Sequence, residues 1–129
     1  MKTRILLVED QINLARFIAL ELNAEGYQFS VKHDIRTGLI AAQVWSPDVI
    51  VLSWDLPREA GVKLHYQLRA EGNQVPIIGM TVDPKSDRFF PQDIISWLAK
   101  PFSMNDLFNA IQQTRGKIHA ENSAKLRIC

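Results

Sequence analysis

Four short runs, Arg4–Val8, Val49–Leu52, Pro76–Met80 and Ile94–Leu98, carry no charge after their first residue, and they constrain this chain more than any other feature. Runs that are short and almost continuously apolar read as strands buried on both faces. A sheet buried on both faces needs helices on both sides, and the intervening sequence supplies them. Gln11–Glu25 places Leu14, Phe17, Ile18 and Leu22 at helical spacing and meets Gly26 as a stop. Tyr27–Lys32 alternates as a further strand. Asp34–Trp45 carries Ile35, Leu39 and Ala42 on one face, with Asp34 as N-cap. Val62–Glu71 forms a third helix stopped by Gly72, and Ser103 caps a last one whose Leu107, Ala110, Ile111 and Thr114 share a face. Asp83–Asp93 gives no clear pattern, because Pro84 and Pro91 leave room only for a short helix.

Strands alternating with helices imply parallel pairing through right-handed crossovers, hence an α/β doubly wound sheet of five strands and about five helices, the fourth short or degenerate. Ligands of such sheets meet the carboxyl ends of the strands. The residues there are Glu9 and Asp10 after the first strand, Ser53 and Asp55 after the third, Thr81 at the end of the fourth and Lys100 after the fifth. Carboxylates suit Mg²⁺, whereas a hydroxyl and an ammonium suit phosphoryl oxygens. No glycine-rich loop follows the first strand, which weighs against a nucleotide or flavin phosphate.

Read in order, Ile5–Asp10, Pro47–Pro57, Pro76–Val82 and Trp97–Ser103 resemble the motifs of response-regulator receiver domains, most of all those of winged-helix DNA-binding regulators in bacterial two-component, phosphorelay signalling. The resemblance implies a flavodoxin-like sheet of order 2-1-3-4-5. It implies that Glu9 and Asp10 stand where an acidic pair binds Mg²⁺, and that Thr81 and Lys100 stand where phosphoryl oxygens are read. Trp97 stands at a switch aromatic. The phosphoacceptor aspartate, however, is replaced by Ser53. A serine hydroxyl is a poor nucleophile without a base, and losing a carboxylate weakens any Mg²⁺ site. Val82 replaces a small residue and is expected to crowd phosphoryl entry; Ala110 stands for a basic residue of the last helix.

These departures lead to the expectation of a pseudo-receiver. In this reading Glu9, Asp10, Ser53, Asp55, Thr81 and Lys100 form a degenerate pocket. The protein is not an enzyme and requires no cofactor, with Mg²⁺ at Glu9 and Asp10 weak or lost. It acts through a regulatory protein partner or self-association on the face of the fourth helix, fifth strand and fifth helix. A Mg²⁺-dependent receiver phosphorylated on Asp55 is the alternative. A net charge of +1 gives no field for nucleic acid or lipid, so DNA contact is assigned to a separate C-terminal domain. Residues 1–118 are read as the receiver-like domain, and 119–129 as a linker or the start of that further domain. No run approaches a membrane span and the only cysteine is Cys129, so the expected location is the cytoplasm.

Overall fold

The computed structural model describes residues 2–84 and 90–114. Strands β1 (Arg4–Val8), β2 (Gln28–Lys32), β3 (Val49–Ser53), β4 (Ile77–Thr81) and β5 (Ser96–Ala99) form one sheet of order β2-β1-β3-β4-β5. Every pairing is parallel: Leu6 lies opposite Ser30 and Ile50, Ser53 opposite Met80, and Thr81 opposite Ala99. The helices are α1 (Ile12–Ala24), α2 (Ile35–Val44), α3 (Ala60–Ala70) and α4 over 104–114.

Side chains alternate across a strand, so each apolar run feeds two cores. Ile5 and Leu7 of β1 pack with Ala15, Ile18 and Leu22 of α1 and with Leu107 and Ile111 of α4. Leu6 and Val8 pack on the opposite face with Ala42 of α2 and with Leu64 and Leu68 of α3. This two-sided demand is why β1 and β3 contain almost nothing but branched apolar residues, and why Ile77, Ile78 and Met80 of β4 are buried as well. Asp34 caps α2 as its residue type suggests, accepting from the Thr37 amide at 2.8 Å.

Some boundaries differ from the sequence reading. Ser53 is the last residue of β3 rather than part of a loop. The third helix begins at Ala60, after a 3₁₀ turn at Pro57–Glu59. β5 begins at Ser96, because Ile94 closes a turn on the Pro91 carbonyl before the ladder starts. Ala110 is buried in the core on the α1 side of the sheet. Four α-helices are described; the expected fourth one, between β4 and β5, falls partly on residues 85–89, outside the described residues, and the described residues flanking them are turns and bends. The assignment of 119–129 also lies outside them. Among the described residues, no helix is long and apolar enough to cross a membrane.

Candidate functional site

The carboxyl ends of β1, β3, β4 and β5 bring five of the expected residues into one group joined by hydrogen bonds and an ion pair. Ser53 ends a fully buried strand and is itself 0% exposed. Trp54, next in sequence, is anchored by its amide to the Met80 carbonyl at 2.7 Å, and its side chain lies in the core. Trp54 and Asp55 form a turn, and Asp55 meets the same pocket as Ser53 through Lys100, whose Nζ lies 3.8 Å from its Oδ2. Gly61 completes this wall, since a Cβ there would lie 2.8 Å from the Ser53 carbonyl oxygen.

Lys100 is the hub. Its Nζ donates to Glu9 Oε1 at 2.6 Å and to Ser53 Oγ at 3.0 Å, and lies 3.8 Å from Asp55 Oδ2. Glu9 is wholly buried, a position a carboxylate tolerates only when paired and hydrogen-bonded. Lys100 pairs with one of its oxygens, and the Gln11 amide donates to the other at 3.0 Å. Asp55 is also committed: Thr81 Oγ1 donates to Oδ1 at 2.9 Å and the Val82 amide to Oδ2 at 2.8 Å.

Asp10 does not join this group. It is exposed and lines a neighbouring cleft of about 460 Å³ with His33, Asp34 and Arg58. His33 Nδ1 sits 2.9 Å from the Glu9 carbonyl oxygen. Mg²⁺ keeps several waters in its octahedron and is held by one or two carboxylates, and of Glu9, Asp10 and Asp55 only the exposed Asp10 stands outside this group. Glu9 is spent on Lys100 and Gln11, Asp55 on Thr81 and Val82, and Ser53 offers a neutral hydroxyl. No group of three potential metal-holding side chains occurs among the described residues. Val82 is 65% exposed, and its backbone amide donates to Asp55.

Behind the pocket lies an aromatic stack that the sequence only hinted at. Trp97 pairs across the ladder with Gly79, and its ring covers that glycine so closely that a Cβ would overlap it. The ring meets Trp54 edge-on at 5.1 Å and Phe90 at 4.7 Å. Trp54 in turn abuts His65. A glycine inside an apolar strand signals such a close approach, and this was the legible clue. His65 Nε2 lies 3.0 Å from Asp93, which also accepts from Arg69 Nε at 2.7 Å. Partial burial pushes the Asp93 carboxyl up, but the Arg69 and His65 hydrogen bonds outweigh it and hold it below the usual range.

The sequence model of the response regulator receiver domain matches residues 5–112. The chain is 36% identical over 115 residues to the response regulator ArlR of Staphylococcus saprophyticus, covering 85% of this chain and 51% of that protein. It is 34% identical over 114 residues to the transcriptional regulatory protein YkoG of Bacillus subtilis, covering 86% and 50%. The chain thus spans about half the length of these relatives. Among solved structures, the receiver domain of the Francisella response regulator 1452 superposes with a TM-score of 0.80 at 23% identity, covering 91% of this chain and 99% of that one. The response regulator TrrA of Thermotoga maritima, solved with Mg²⁺ and beryllofluoride, gives 0.77 at 23%, covering 88% and 99%.

Proposed function

This chain belongs to the response regulator receiver domain family of two-component signalling, and we propose that it is a receiver without the covalent switch, working as a phosphorylation-independent regulatory protein-interaction module. The observation that carries this reading is Ser53 at the buried end of β3, its hydroxyl accepting from the Lys100 ammonium. An ammonium is a cation and no general base. The nearby carboxylate of Glu9 is tied to that same ammonium, so nothing in this group activates the hydroxyl. Asp55, the rival acceptor, has both oxygens engaged by Thr81 and Val82. On this reading the protein is not an enzyme and acts in the cytoplasm through a protein partner or self-association on the face around β5. Control of transcription, suggested by the relatives' names and by their twofold greater length, belongs to a separate DNA-binding domain.

The test is to incubate the protein with Mg²⁺ and a small phosphodonor such as acetyl phosphate, then measure its intact mass. The expected result is no phosphoryl adduct. An adduct that disappears in Asp55→Asn would instead establish the alternative, a phosphorylated receiver using Asp55.

A further inference from the structure

Three groups from two strand ends converge on the Asp55 carboxylate: the Thr81 hydroxyl at 2.9 Å, the Val82 amide at 2.8 Å and the Lys100 ammonium at 3.8 Å. A hydroxyl, a backbone N–H and an ammonium aimed at one point form an oxyanion-binding set. In this fold such a set stands ready for an anion from outside, yet here the chain reaches it with its own side chain. The reach follows from the local sequence. Trp54 is buried and pinned to β4, and the turn at Trp54 and Asp55 brings the Asp55 carboxylate to the end of that strand. With a short serine at 53, Asp55 leans across to the end of β4, and its side chain remains only 20% exposed.

We infer that Asp55 is a resident internal ligand: its carboxylate fills an oxyanion site made by Thr81, Val82 and Lys100, and holds the ends of β4 and β5 in their anion-bound arrangement without any phosphoryl group. This inference rests on the reading of the chain as a receiver without its covalent switch. It adds how the site is regulated, since any input must displace Asp55 rather than deliver phosphate. The effect has a path to the surface. Thr81 pairs with Ala99 and Gly79 with Trp97, so fixing the end of β4 also fixes the register on which Trp97 lies against Trp54 and Phe90.

Removing the internal ligand exposes a site for a free oxyanion, for which inorganic phosphate and sulfate are the probes. The full chain and its Asp55→Ala variant are titrated with each, against chloride at matched ionic strength, following the Val82 amide by NMR, Trp fluorescence and the melting temperature. The wild type is expected to show no saturable response. Asp55→Ala is expected to shift the Val82 amide, to bind phosphate or sulfate at least about tenfold more tightly than the wild type, and to move the amide back toward its original position as the site fills. Thr81→Ala in the Asp55→Ala background is expected to abolish that gain. If Asp55→Ala is unfolded in chloride, recovery of folding by phosphate beyond the wild-type effect supports the inference, and no such recovery overturns it. A folded Asp55→Ala with an unmoved Val82 amide and no gain in anion binding overturns it as well. A phosphoryl adduct on the wild type would strike the underlying reading instead, so the two failures are distinguishable.

Discussion

Asp93 is exposed along about half of its side chain (48%), yet it organises a contact between α3 and the turn before β5 through His65 and Arg69. Its carboxyl sits below its ordinary value of 3.8. A depressed carboxyl adds stability above the unfolded-state value, and that stability is lost as pH falls through the folded one. Asp93→Asn is therefore expected to lower the melting temperature at neutral pH, with the gap from wild type shrinking below about pH 4; melting curves at several pH values check this. Gly79 is a second residue whose size is set by a neighbour. Gly79→Ala is expected to expel the Trp97 ring, costing about 1–3 kcal/mol and red-shifting the Trp emission. Neither role was fully legible in the sequence. Gly79 marked a close approach without naming the ring. The sequence places Asp55 in the pocket, but its bond to Thr81 was not legible, because that reach depends on how β4 lies beside β3, which no spacing along the chain records.

At the scale of elements, the legible parts are those whose burial is two-sided. β1, β3 and β4 are apolar except at one terminal residue each, because each faces helices on both sides, and that pattern survives in one sequence without a partner to compare. The start of α3 was not legible. Arg58 and Glu59 both adopt left-handed backbone angles, φ 58° and 56°, a conformation that sequence reading assigns to glycine. They lie in the turn between the Ser53 strand and α3. Each such residue costs roughly 1–2 kcal/mol in that conformation. Arg58→Gly is accordingly expected to stabilise the protein by up to about 1 kcal/mol, after the greater entropy of an unfolded glycine is subtracted, as read by urea unfolding. A loss of stability in Arg58→Gly would mean that the arginine side chain contributes more than its backbone costs.

For the whole molecule, the Glu9–Lys100 pair joins the end of β1, an interior strand, to the end of β5, an edge strand. Removing only the cation leaves a wholly buried carboxylate. Lys100→Met is expected to cost about 3–5 kcal/mol in global unfolding, and Glu9→Gln added to it is expected to restore part of that loss. A double variant no more stable than Lys100→Met would show that the ammonium acts through Ser53 and Asp55 rather than through Glu9.

That pair also bears on how the protein is made. Glu9 is synthesised before its cation, which lies 91 residues further along the chain. Until Lys100 emerges, the end of β1 has no counter-charge with which to enter a dry interior, so the nascent chain must keep that corner hydrated. The end of β1 is then not buried until translation has reached Lys100, and until that point the incomplete domain exposes surface that chaperones and proteases can meet.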